Sequence, residues 1–382
     1  MDDEPQLSVL AVAPECFPLI KTGGLADVVG ALPGALTPLG CDMRVLLPLY
    51  PAVTENVGKC KAVHAYDDLF GGQALIIASE TVGLNAYLIE APHLFDRPGN
   101  PYLGPDGEEW PDNHLRFAAL SRVAADFGLG LAGDWTPDIV HAHDWQAGLA
   151  PAYMALADET PGRQRPKTIM TIHNLAFQGL YPAAHLSALG LPGDVFTSEG
   201  MEYFGQISFL KAGLVYSDAV TTVSPTYANE IRTPALGMGM DGVLNGRAEP
   251  VTGILNGIDP DVWNPAEDEA IEKPYSARAL KKKAKNKTAL QQHFGLDEDP
   301  DALLACLISR LTDQKGIDLV FECLPAFIGK GGQLALLGSG DPALEKLAMD
   351  AATKYPGGVG AFIGYDEALS HRMQAGADTI LI

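Results

Sequence analysis

Positive charge is what this chain has least of. Its 382 residues hold 26 Lys and Arg against 48 Asp and Glu, a formal net charge of −22 at pH 7. A general nucleic-acid binder is disfavoured, because the phosphate contribution would be repulsive. An anionic ligand must instead be met by a local cluster of cations. Cysteine is scarce and scattered: Cys16, Cys41, Cys60, Cys306 and Cys323 form no Cys-x-x-Cys pair, the pattern of a reduced, cytoplasmic protein. No apolar run approaches a membrane span, and the acidic residues 1–5 carry no signal-peptide core, so no membrane partner is expected. The dinucleotide fingerprint G-x-G-x-x-G and the Walker loop are both missing.

What is there is an alternation of apolar runs and helical spacings. Hydrophobic residues make up 47% of the chain, and its length suits two or three domains. Residues 7–13 read as a buried strand and 25–39 as a helix, with apolar positions at Leu25, Val28, Val29, Leu32 and Leu36. Strands are expected at 43–49, 74–79, 85–90 (with Val82-Gly83 between the last two), 138–141, 168–172 and 219–223. Helices are expected at 113–127, 145–156 and 207–216, and residues 98–111, rich in Gly, Pro and Asp, read as a loop. Residues 256–276 read as a linker. The alternation then restarts, with helices at 277–292, 316–328, 342–352 and 367–375, and strands at 303–308, 333–337, 359–363 and 378–382. This predicts an α/β protein with doubly wound, parallel sheets: a first domain over 1–255 and a second over 277–382. The basic run 281–287 reads as a solvated helix face.

The polar motifs fall where strands end, which is where open α/β sheets collect ligands. Lys21-Thr22-Gly23-Gly24 lies between the first strand and the first helix. There the free N–H groups of a helix start favour an anion, and glycine lets the backbone approach it closely. The same residues also suit a plain tight turn with a surface lysine. His141-Ala142-His143-Asp144-Trp145 and His173-Asn174 follow two further strands. Ser309-Arg310 with Lys315-Gly316, and Gly338-Ser339-Gly340-Asp341, follow two strands of the second domain. His141-x-His143 has the spacing of a zinc pair but no third ligand nearby in sequence. Two cations from one domain and a Lys-Gly-Gly turn from the other would together suit a diphosphate.

These stretches resemble the glycogen/starch synthase family that uses ADP-glucose, in particular its bacterial members. The resemblance is carried by Lys21-Thr22-Gly23-Gly24-Leu25-Ala26-Asp27, by residues 91–99 (Ala-Pro-His-Leu-Phe-Asp-Arg-Pro-Gly) and by the His141–Trp145 and Thr171–Leu175 motifs. It continues through residues 205–213, Ser224-Pro225-Thr226-Tyr227, residues 255–259, residues 309–316 and residues 336–341, in the family's order over nearly the whole chain. It implies two Rossmann-like domains facing a cleft, the GT-B type, and transfer of glucose from ADP-glucose to the non-reducing end of an α-1,4-glucan with retention of configuration. ADP-glucose and glycogen are then substrates; no cofactor and no metal are implied. The implied catalytic residues are His173, Asp144, Arg310 and Lys315. The implied donor contacts are Lys21, Gly23, Gly24, Asn174, Asn256, Gly338, Gly364 and Tyr365, and Tyr102 and Trp145 lie on the acceptor side. Arg310 and Lys315 would neutralise the departing diphosphate.

Two features depart from the family's pattern. Gln146 stands where relatives often have His. The sequence also ends at residues 378–382, before a family motif that carries a carboxylate near the transferred sugar, so the second domain is expected to be incomplete and this chain alone inactive. Three rivals remain. Another retaining nucleotide-sugar transferase of the same fold would lack the Lys-Thr-Gly-Gly-Leu turn. A dinucleotide-dependent oxidoreductase needs the missing glycine fingerprint. A non-catalytic glucan-binding protein would expose aromatic platforms, and the 8% of aromatic residues form no cluster in the sequence.

Overall fold

A computed structural model describes residues 7–81, 83–132, 134–157 and 164–382. Residues 1–5, expected to lack a signal core, and Val82, placed at a turn, lie outside them. The chain divides into two compact units, Met1–Gly257 and Ile258–Ile382.

The first unit is built on a nine-stranded sheet. Its strands are β1 (Leu7–Val12), β2 (Cys41–Pro48), β3 (Lys59–Tyr66), β4 (Ala74–Thr81), β5 (Leu84–Glu90), β6 (Ile139–His143) and β7 (Lys167–Ile172). Three short strands, β8 (Leu180–Pro182), β9 (Glu202–Tyr203) and β10 (Gln206–Ser208), make a separate small sheet, and β11 (Ala219–Thr222) and β12 (Thr252–Gly253) return to the large one. The order is β12-β11-β7-β6-β1-β2-β5-β4-β3, parallel from β12 through β5. The far edge departs from the parallel expectation, because β5, β4 and β3 pair antiparallel. β3 was not expected from the sequence. It is an edge strand whose residues are mostly exposed, so it shows no apolar alternation.

β1 sits mid-sheet with Leu10, Ala11 and Val12 fully buried, as a strand covered on both faces must be. The chain leaves β1 for β2 on one side and later returns to β6 on the other, so the strand order reverses between β1 and β6. The helix Asn113–Gly128 is buried on nearly every side. In its first turn Arg116, 1% exposed, donates to the carbonyls of Leu94 (2.8 Å) and Pro101 (3.1 Å) and to Asn113 Oδ1 (2.6 Å). An interior guanidinium with three acceptors thereby ties residues 98–111 to the core.

The second unit carries β13 (Leu304–Ile308), β14 (Gln333–Gly338), β15 (Val359–Ile363) and β16 (Thr379–Leu381), all parallel, in the order β15-β14-β13-β16. Its strand order reverses at β13. Separate apolar clusters form on its two faces, one including Ile317, Leu324 and Leu344 from the helices Ile317–Ile328 and Pro342–Lys354. The other includes Leu290, Leu369 and Met373 from the helices Lys283–Phe294 and Glu367–Gly376.

The basic run 281–287 corrects one expectation. Lys281, Lys282 and Lys285 face solvent, but Lys283 and Lys287 turn inward. Lys287 Nζ donates to Asp378 Oδ2 (2.8 Å) and to the carbonyls of Pro300 and Ala302, and Lys283 Nζ to those of Gln374 and Ala375. These lysines satisfy carbonyls at loop ends and tie the helix Lys283–Phe294 to the start of β16. Among residues 258–276, Trp263 stacks on His371 at 4.0 Å, and the Nδ1 of that histidine lies 2.7 Å from Asp268 Oδ2. All five cysteines are free, with Cys60 and Cys323 exposed. No helix of the described residues is long and apolar enough to cross a membrane.

Candidate functional site

The first unit gathers its polar motifs at the carboxyl ends of β1, β6 and β7. Beyond β1, Gly23 precedes the helix Gly24–Leu36 with extended backbone and, being glycine, brings no side-chain cap to the helix start. A Cβ built at Gly23 or Gly24 would meet nothing within 4 Å, so these glycines face open space rather than a close neighbour. Lys21 Nζ lies 2.9 Å from Asp27 Oδ1 and 5.3 Å from the centre of the Phe17 ring.

Beneath this turn lies a carboxylate that the sequence reading missed. Glu15 is 3% exposed. It accepts from the backbone N–H of Thr22, from Thr22 Oγ1 (2.9 Å) and from the Tyr102 hydroxyl (2.7 Å). Burial pushes its carboxyl group above the ordinary value, and bonds from Tyr102, Thr22 and Gly23 offset part of that rise. The only sequence signal is a lone acid in the otherwise apolar stretch of residues 9–20.

At the ends of β6 and β7, Asp144 holds a left-handed backbone (φ 55°) and its Oδ1 accepts from the backbone N–H of His173 (2.7 Å) and Asn174 (3.4 Å). A side chain with positive φ is uncommon, and here it turns the carboxylate of one strand end onto the backbone of the next. His141 and His143 lie with ring centroids 4.1 Å apart, and His143 Nδ1 is 3.0 Å from His173 Nε2. His141 Nε2 meets Thr171 Oγ1 at 2.6 Å. Burial pushes His141 and His173 down to about 4 and His143 well below its usual value, with neighbouring imidazoles adding to the shift for His141 and His143. Among the described residues no group of three or more His, Cys, Asp or Glu is placed to hold a metal ion, so His141 and His143 acquire no third ligand.

Trp145 is buried and Tyr102 half-buried, so neither is presented as an open platform. The Tyr102 hydroxyl is spent on Glu15. Trp145 is 7% exposed and packs edge-on against Phe117 at 4.9 Å, and a Cβ at Gly179 would come within 2.3 Å of its ring. Asn174 Oδ1 accepts from Ala176 N–H at 3.0 Å, fixing the turn after β7. Asn256 lies exposed near the end of the first unit.

In the second unit Arg310, Lys315, Gly338, Gly364 and Tyr365 collect at the carboxyl ends of β13, β14 and β15. Arg310 and Lys315 are both exposed. Lys315 ends a single turn, Asp313–Lys315, and Gly316 (φ 61°) then opens the helix Ile317–Ile328. Gly338 is required by close approach, since a Cβ there would lie 2.0 Å from the Ser309 carbonyl oxygen. Gly364 (φ 145°) donates its N–H to the Gly338 carbonyl at 3.0 Å, and the Tyr365 hydroxyl meets Glu367.

Comparison with known proteins gives consistent relatives. The model of the starch synthase catalytic domain matches residues 8–246. A glycogen synthase of Rhodopseudomonas palustris (strain ATCC BAA-98 / CGA009) is 56% identical over 376 residues, covering 98% of this chain and 77% of that protein. A glycogen synthase of Methylocella silvestris is 55% identical over 377 residues, 99% of this chain and 77% of that protein. Among solved structures, the catalytic domain of starch synthase IV from Arabidopsis thaliana, bound to ADP and acarbose, superposes with a TM-score of 0.88 at 32% identity. That match covers 99% of this chain and 78% of the other.

Proposed function

The chain belongs to the glycogen/starch synthase catalytic-domain family, and from that premise we propose that it transfers glucose from ADP-glucose to the non-reducing end of an α-1,4-glucan, retaining the anomeric configuration. The observation that carries the reading is the turn at Lys21–Gly24. An uncapped helix start, two glycines facing open space and a lysine stand on a buried carboxylate at the end of the central strand. Such a turn accepts an anionic or polyhydroxylated ligand through backbone N–H groups.

In this reading Lys21, Gly23 and Gly24 meet the donor, and His173 and Asn174 border the transferred glucose. Asp144 sets the backbone of both, with Trp145 and Tyr102 behind the acceptor side. Arg310 and Lys315 take the diphosphate and steady the charge that grows as the glycosidic bond breaks. Gly338, Gly364, Tyr365 and Asn256 complete the donor contacts. Fixed cations and helix N–H groups do the work that a divalent metal ion does in other transferases, so no metal or cofactor is needed. Five free cysteines fit a reducing cytoplasm.

The full-length protein, incubated with glycogen, is expected to release ADP from ADP-glucose in proportion to the glucose incorporated, and to do so faster than it releases UDP from UDP-glucose. Binding of glycogen without release of either nucleotide would favour the non-catalytic glucan-binding alternative.

A further inference from the structure

Three imidazoles are packed at the ends of β6 and β7, and the proposed transfer uses only one of them directly. His143 is fully buried. Its Nδ1 faces His173 Nε2 at 3.0 Å, and its own Nε2 is buried without a partner among the described residues. Two proton arrangements satisfy the shared contact. In one, His173 Nε2–H donates, which puts the proton of His143 on Nε2 and leaves a buried N–H unpaired. In the other, His143 Nδ1–H donates, and only a lone pair is left unpaired at Nε2. Orphaned buried N–H groups are rarer than under-satisfied acceptors, so the second arrangement is favoured. It requires His173 to carry its proton on Nδ1, the ring nitrogen for which no hydrogen bond to a described residue exists.

We propose that His143 is a positioning residue for glucosyl transfer, holding His173 as the neutral Nδ1–H tautomer so that it presents a hydrogen-bond donor to an oxygen of the bound sugar. A neutral imidazole N–H suits a hydroxyl or ring oxygen of the sugar, and burial favours the neutral ring. The neighbours fix the arrangement. His141 is engaged by Thr171 Oγ1, which in turn meets Thr221 Oγ1 at 2.6 Å, so His141 is already engaged on its own strand-end network. The backbone N–H of His173 is held by Asp144, which fixes where the ring starts. The inference rests on the proposed place of His173 beside the transferred glucose, but the tautomer itself does not.

The test is nuclear magnetic resonance of the full-length protein with 15N-labelled histidine, reading which nitrogen of His173 bears the proton, together with kinetics of His143→Leu and His143→Asn. The wild type is expected to show protonated Nδ1 and unprotonated Nε2 on His173. His143→Leu is expected to move the proton to Nε2 and to lower kcat by at least about tenfold, with the KM for ADP-glucose within about threefold. His143→Asn offers an amide donor near the lost Nδ1 and is expected to restore the tautomer and most of the rate. A wild-type His173 protonated on Nε2 overturns the proposal, and so does a His143→Leu protein whose proton moves while kcat stays unchanged. Should His143→Leu fail to fold, the wild-type spectrum and His143→Asn still decide. Failure of the wild type to transfer glucose at all would count against the enzymatic reading and leave the tautomer result standing.

Discussion

Tyr102 donates its hydroxyl to Glu15 Oε1 at 2.7 Å, joining residues 87 positions apart. The other carboxylate oxygen of Glu15 accepts from Thr22, so one buried acid braces both the loop 98–111 and the Lys-Thr-Gly-Gly turn. Arg116 also holds the loop, by donating to the Pro101 carbonyl. The turn is therefore set by the interior of the unit rather than by its own sequence.

Glu15 should make the protein less stable as pH rises. Its pKa in the folded chain is raised above the ordinary 4.5, so the folded state binds more protons than the unfolded state just above that value. Stability is then fully present below about 4.5 and is lost as pH rises through the raised value. Glu15→Gln removes this titration. Chemical denaturation at several pH values should show the wild type losing stability relative to Glu15→Gln from pH 4.5 upward; a difference that stays flat over that range contradicts the assignment.

The imidazoles act in the opposite direction. His141 and His173 are held down to about 4 by burial, so between about 6.5 and 4 the unfolded chain binds more protons than the folded one. Their contribution to stability is present above 6.5 and lost as pH falls through about 4. Thermal unfolding of His141→Gln should show a shallower fall in midpoint between pH 6.5 and 4.5 than the wild type. Equal slopes would mean that His141 is not buried in its neutral form.

Much of this was legible in the sequence, for physical reasons. β1 is covered on both faces and reads as an unbroken apolar run, and the helix Gly24–Leu36 shows its apolar spacing, so the turn between them could be placed. The strand ends carrying Asp144, His173, Arg310 and Gly338 were found in the same way. Glu15 was not, because a lone acid carries no period and its partners are distant in the chain. β3 was missed because it is mostly exposed, and β8, β9 and β10 because two or three residues show no alternation. The inward turn of Lys283 and Lys287 depends on carbonyls up to 92 residues away, which a run of lysines cannot announce.

Lys315 should matter more for turnover than for binding. It is exposed beside the start of the helix Ile317–Ile328, where a cation can follow charge developing on the diphosphate. Lys315→Ala should lower kcat by about 10² to 10³, by analogy with loss of one oxyanion donor, with a smaller change in donor KM. Lys21→Ala should act mainly on KM. A Lys315→Ala enzyme within about twofold of wild-type kcat would remove this residue from the mechanism.

Divalent metal ions should be dispensable. Dialysis against a chelator is expected to leave most of the activity of the full-length protein. Abolition with rescue by Mg²⁺ or Mn²⁺ would contradict that expectation and reopen the His141 and His143 pair as ligands.

The most direct test follows radiolabelled glucose from ADP-glucose into glycogen with the full-length protein, and then digests the product with an exo-acting enzyme that removes maltose from the non-reducing ends of α-1,4 chains. The proposed function predicts that label enters the polymer and that nearly all of it is released in the first rounds of digestion. Label that never enters the polymer, or that enters and resists this digestion, would contradict transfer with retention to the non-reducing end.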